Sequence, residues 1–280
     1  MFGALGDALT QTDSVPSIAE TAASGEIADI YADIRSTLGT SVVNLIWRNL
    51  ATLPGALSWT WSTVRPLYVA AAAPHAEAVR NTLGLPDVPP ISADTLLAAG
   101  IDRAAFAGIR TILNSYYHTN ALALVVLSAL LERCDPRTGE TAQPSETVPA
   151  ADKTELPALP AMAALPAEVQ RLIAELNQFG EDTDPHLIAS MYRHLAYWPP
   201  YLAIIRTLLA PLQADGRLNA LTRSARATGR AHGRALVSQL TLSDPPASLD
   251  AALASCKLFV EHPIARMTGI CAIMRRATPE

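Results

Sequence analysis

The sequence predicts an all-α fold of two related helical halves packed about a pseudo-twofold axis, and three observations carry that prediction. Apolar residues recur at helical spacing through most of the chain, and no stretch alternates apolar and polar residues for long enough to make a strand. The run from Trp47 to Leu57 is answered 145 residues later by the run from Tyr192 to Leu202, with Arg, Leu, Ala, Pro and Leu matching at one offset. Pro66-Leu67 and Pro211-Leu212 keep that offset, and Glu26 to Ile34 is answered, three residues out of step, by Glu168 to Leu176. A whole unit is repeated, not a short solenoid motif.

In chain order, residues 1–25 read as an arm, with Thr, Ser, Asp and Pro16 but no sustained period. Ile27, Ile30, Tyr31 and Ile34 then fall on one helical face behind Ser24 and Gly25, and Gly39 ends that helix. The stretch from Val42 to Leu53 makes a second helix, apolar around its circumference and therefore buried, closed by Pro54-Gly55. A third covers Ala56 to Ala73, given bulk by Trp59, Trp61 and Tyr68, with Pro66 set to kink or divide it. Pro86, Pro89 and Pro90 mark a loop, and shorter helices start near Ser92 and Asp102.

Phe106 to Arg133 is a long apolar helix interrupted by a polar patch from Asn114 to Asn120 that includes Tyr117. Burying such groups unsatisfied costs a few kcal/mol, so they either satisfy one another in the core or line a wet pocket. Residues 26–133 form the first repeat. Residues 134–166, with six prolines among Thr, Ser, Glu and Gln, read as a linker that cannot be helical throughout. Residues 167–280 then repeat the order of the first half, with Phe179 to Pro185 as the turn before the second copy of the motif.

Composition narrows the function classes. Half of the 280 residues are hydrophobic, enough for a sizeable core, and a formal charge of −5 without Lys-rich runs argues against a nucleic-acid binder. Cys134, Cys256 and Cys271 fall in no CxxC pair, which suggests reduced thiols in a cytoplasmic protein. The first residues lack a basic segment before an apolar run, and the longest apolar stretch, Ala121 to Leu131, is well short of the roughly 20 residues that span a bilayer. Neither a membrane nor nucleic acid is an expected partner. No GxGxxG, P-loop, GxSxG or HExxH motif occurs, and the six His residues show no metal spacing, so no cofactor or metal is expected.

Two sets of arginines stand out. Arg48 and Arg193 occupy equivalent places in the two copies, where they either hold their own repeats together through loop carbonyls or acids, or clamp a carboxylate from both sides of a central cleft. Arg223, Arg226, Arg230 and Arg234 form a basic stripe along one helix, either a solvated face or a field that concentrates a small anion.

The runs from Ile30 to Leu38 and from Arg48 to Gly55, the helix around Asn120 and the run from Leu195 to Pro199 together resemble the group I 2-haloacid dehalogenases, over about residues 20–275. The resemblance implies two related α-helical halves with a small active site between them, often in a homodimer, and a small 2-substituted carboxylate as ligand. In that family an Asp of the second half activates a water that displaces halide directly from the α-carbon, with inversion and no ester intermediate. An Asn of the first half holds the water and a Ser lies beside the Asp. Placed on this chain, the Asn is Asn120 and the Ser is Ser190, while the Asp position holds Met191, whose thioether cannot take a proton from water. The family's aromatic pocket residues become Val42 and Leu45.

Three explanations follow. Asp184, Asp182, His186 or His194 serves as a relocated base, His194 lying about one helical turn from Met191; or the correspondence shifts by a few residues in the loop; or dehalogenation is lost and the scaffold binds a small acid or serves as an oligomerisation module. The related alkylhydroperoxidase-like chemistry needs the CxxC pair that this chain lacks.

Overall fold

A computed structural model describes residues 15–135, 155–182 and 187–279. The described residues form twelve α-helices: α1 Gly25–Leu38, α2 Leu45–Leu50, α3 Ala56–Ala70, α4 Ala72–Thr82, α5 Ala93–Ala98, α6 Arg103–Arg133, α7 Ala167–Gln178, α8 Ser190–Leu195, α9 Pro199–Ala214, α10 Arg217–Arg234, α11 Leu249–Phe259 and α12 Ala265–Ala277. The duplicated sequence becomes duplicated structure. Helices α1 to α4 correspond to α7 to α10, and α2 and α8 start the same 145 residues apart as the repeats do. The 31-residue α6 is answered by α11 and α12, joined through a π-helical turn over Val260–Ile264 that contains Pro263.

Local chemistry accounts for the ends. The Ser92 and Asp102 side chains accept from the backbone N–H groups of Thr95 and Ala105, capping α5 and α6. Gly39 closes α1 at φ 62°, a left-handed conformation that glycine reaches without a Cβ penalty. Helix α3 runs through Pro66 undivided, and the break falls at Ala71 instead. The stretch expected as one helix from Val42 to Leu53 is helical only over Leu45–Leu50 and finishes in turns.

The centre of the molecule is α6, packed most closely against α10 and α12. Glycines permit that approach: a Cβ on Gly233 would sit 2.7 Å from the Ala129 amide nitrogen and the Ser128 Cβ, and one on Gly229 would meet Leu124. On the first half's side, Trp47 packs edge-on to Trp61 at 5.2 Å and close to Tyr68, with the Trp61 indole donating to Asp33. The arginine stripe of α10 is paired with acids: Arg223 with Asp182, Arg226 with Glu181, Arg230 with Glu261 and Arg234 with Glu132. Its charge is neutralised along neighbouring elements. Among the described residues, no helix is long and apolar enough to cross a membrane.

Residues 155–161 pass over α8 as a strap without secondary structure, followed by a 3-10 turn at Met162–Ala164. Leu156 donates its N–H to Ser41 Oγ at 2.7 Å, and the Arg193 guanidinium donates twice to the Pro160 carbonyl. Arg193 thus holds a carbonyl of the linker that joins the two halves.

Candidate active site

The first turns of α2 and α8 face each other across the middle of α6, and with the π turn they enclose a cavity of about 50 Å³. That space, counted for the centres of water-sized groups, holds several waters or one small acid, since one water needs about 10–15 Å³ on that measure. Apolar walls come from Leu45, Ile46, Leu187, Ile188, Met191, Phe259, Pro263, Ile264 and Met267; polar groups come from Asn44, Tyr116, Asn120 and Ser190. The helix α6 contributes Tyr116 and Asn120 because they lie four residues apart on one face. The helix α8 contributes Ser190 and Met191 from its first turn. Where the sequence carries Met191, the wall is a fully buried thioether. Among the described residues, no Asp, Glu or His lines this cavity.

The amide of Asn120 is the most telling group. It is buried at 6 % exposure, and its Nδ2 has no hydrogen-bond partner among the described residues. A buried donor left that way costs about 1–3 kcal/mol unless a ligand or water accepts from it.

A second, smaller cavity of about 20 Å³ lies behind Tyr116 and shares Asn44, Tyr116 and Ser190 with the first. It is bordered by Val42, Thr119, Leu156, Leu159 and His194. There the Tyr116 hydroxyl lies 2.7 Å from His194 Nδ1, and His194 Nε2 lies 3.1 Å from the Pro157 carbonyl. A carbonyl can only accept, so Nε2 carries the imidazole proton and Nδ1 is the acceptor for Tyr116. Burial holds the His194 pKa down to about 4, against the favourable carbonyl of Pro157, and the Arg193 and Arg48 guanidiniums push the same way. The imidazole is neutral at neutral pH. Burial raises the Tyr116 pKa well above the usual phenol value, partly opposed by the same two arginines.

The sequence-derived candidates sort as follows. Asn120, Ser190, Met191 and Leu45 meet in the main cavity. Val42 and His194 border the smaller one. Tyr117 is elsewhere, between the Arg80 and Arg275 guanidiniums at 5.1 and 4.7 Å from its ring. Its neighbour Tyr116 is the tyrosine of the site; the stripe Ile109, Ile112, Leu113, Tyr116 and Asn120, all buried, marks that face in the sequence. Asp182 is engaged outside the cavity by Asn219 and Arg223. Asp184 and His186 lie outside the described residues. Among the residues missed from sequence, Phe259 reaches the site from the end of α11, and Pro263 and Ile264 reach it from the π turn, a device frequent at functional sites.

The loop Leu187 to Ala189 forms one wall, and Asn177 fixes it. Its Nδ2 donates to the Leu187 carbonyl and its Oδ1 accepts from the Ala189 N–H, both at 3.0 Å, while fully buried Arg266 donates to the same Oδ1 at 2.8 Å. No group of three or more His, Cys, Asp or Glu that could hold a metal ion comes together among the described residues.

No family model matches the chain. Over 226 residues, 77% of this chain and 75% of the relative, it is 29% identical to a configuration-inverting 2-haloacid dehalogenase of Alcaligenes xylosoxydans xylosoxydans. A D-2-haloacid dehalogenase solved in complex with L-LA superposes with a TM-score of 0.77 at 19% identity, covering 94% of this chain and 96% of that one. A mutant of a D-2-haloacid dehalogenase solved with D-2-CPA gives a TM-score of 0.70 at 20% identity over the same shares. This chain therefore has the fold of the D-2-haloacid dehalogenases.

Proposed function

We propose that this protein is a hydrolase of the 2-haloacid dehalogenase class, binding a short 2-substituted carboxylate in the cavity between its halves and displacing the substituent with water. One observation carries the reading: the buried Asn120 amide turns an unpartnered donor toward a small, largely apolar cavity that also holds Ser190. That combination suits a ligand with one polar end and a short apolar body. Asn120 fixes the attacking water, Ser190 and Asn44 meet the carboxylate, and the apolar wall of Leu45, Ile188 and Met191 receives the alkyl group and the leaving halogen. Holding water behind the carbon–halogen bond supplies much of the rate, since alignment converts a bimolecular step into an intramolecular one.

The test is halide release from both enantiomers of 2-chloropropionate by the folded protein. Release from one or both, lost in Asn120→Leu, supports the reading; no release above a heat-killed control from either ends it for that substrate. The thioether of Met191 in the wall favours a second reading, a scaffold that binds such acids without turnover. Saturable calorimetric binding of 2-chloropropionate without halide release selects it.

A further inference from the structure

Resting on the hydrolytic reading above, we propose that Tyr116 and His194 together do the work of the absent carboxylate, Tyr116 taking the attacking water's proton while passing its own to His194. The argument starts from two helical spacings. Tyr116 and Asn120 are four residues apart on α6, and Ser190 and His194 are four apart on α8, so the two helices present their pairs to each other. The Tyr116 hydroxyl sits where they meet. Tyr116 lines both the cavity that holds Asn120 and the smaller one behind it, and its hydroxyl lies 2.7 Å from the bare Nδ1 of His194.

The step balances. The water oxygen forms a bond to the α-carbon as the carbon–halogen bond breaks and halide leaves with the bonding pair. One water proton goes to the Tyr116 oxygen, and the tyrosine's own proton goes to His194 Nδ1. The product is a 2-hydroxy acid, a halide ion and an imidazolium, which returns its proton to solvent before the next turnover. No free tyrosinate forms, because the hydroxyl gains a proton as it loses one.

Two features suit His194 to this end of the relay. Its Nε2–H already donates to the Pro157 carbonyl, so both N–H groups of the imidazolium are satisfied, one by Pro157 and one by Tyr116. With its pKa lowered to about 4, neutral His194 matches an ordinary carboxylate in basicity, so the exchange of Asp for a tyrosine–histidine pair leaves the base strength nearly unchanged. The groups that set this value are the burying walls, the Pro157 carbonyl on the strap, Arg193 on its own helix and Arg48 on α2. The strap is itself tied down by Arg193 to Pro160 and by the Tyr197 hydroxyl to the Ala158 carbonyl. In this arrangement Tyr116 is the catalytic residue and His194 acts through it.

The test measures halide release from 2-chloropropionate by the full chain carrying no change, Tyr116→Phe, His194→Gln, Met191→Asp, or Tyr116→Phe with Met191→Asp. Tyr116→Phe keeps the ring and lowers kcat by roughly 100- to 10,000-fold, the usual share of a general base, with KM little changed. His194→Gln keeps both hydrogen bonds but cannot take up the proton, and loses kcat to a similar extent. Met191→Asp restores a carboxylate in the same wall and recovers turnover in the Tyr116→Phe background, which a purely structural role for Tyr116 would not allow. Tyr116→Phe or His194→Gln within threefold of the parent kcat, or a double variant as inactive as Tyr116→Phe, overturns the relay. A parent protein that releases no halide while Met191→Asp does overturns both the relay and the parent's hydrolytic activity, and leaves the scaffold reading standing, with a cavity that takes the acid but holds no base. If neither releases halide, the hydrolytic reading fails, and the relay with it.

Discussion

The neutral, buried His194 makes the protein sensitive to acid by an amount that can be worked out. In the unfolded chain its pKa is 6.5, and in the fold it is lowered to about 4. The unfolded state therefore holds the extra proton between those values. The stability this neutral imidazole contributes is complete above 6.5 and is lost as pH falls toward 4. The full gap corresponds to about 3 kcal/mol, of which about 2 kcal/mol has gone by pH 5. His194→Gln keeps a donor for the Pro157 carbonyl and an acceptor for Tyr116 but does not titrate, so its stability should fall about 2 kcal/mol less between pH 7.5 and pH 5. Urea unfolding of both proteins at the two pH values measures this difference, and other groups such as His75 and His118, whose pKa values burial also lowers, cancel in the comparison. Equal pH slopes in the two proteins would refute the assignment of a buried, neutral His194.

Three further predictions separate function from folding. Asn120→Leu removes the unpartnered donor at similar volume and is expected to raise stability by about 1 kcal/mol by chemical denaturation while abolishing halide release from 2-chloropropionate. Asn177→Ala strands the Leu187 carbonyl and the Ala189 N–H, costing about 3 kcal/mol, and loosens the cavity wall so that KM rises more than kcat falls; steady-state kinetics alongside thermal unfolding check both. Gly233→Ala forces a methyl against the backbone of α6 and should destabilise by about 1–3 kcal/mol, with the change visible as a lowered Tm and no change in KM at the distant cavity.

The architecture was legible because it rests on local signals that repeat. The stripe of α1, the side-chain caps Ser92 and Asp102, and the left-handed Gly39 each act over a few residues, and the second copy of the motif carries them into the second half. Asn120, Ser190 and Met191 line one cavity. The choice of Tyr117 missed by one residue, or about 100° around α6, because a polar patch hides the underlying stripe; the buried positions before it point to Tyr116. The strap was out of reach for a different reason. Proline lacks an N–H but keeps its carbonyl, and which distant side chain uses the Pro157 and Pro160 carbonyls depends on how α8 is packed. The π turn likewise follows from tertiary packing around Pro263 and leaves no local period to read.

Direct attack by water at the α-carbon, inside this cavity, is tested most directly by a single turnover of 2-chloropropionate with enzyme in excess in heavy-oxygen water. The account predicts lactate that carries the heavy oxygen in its hydroxyl group and has inverted configuration. Lactate whose hydroxyl oxygen is unlabelled, and therefore drawn from a protein carboxylate, would contradict it.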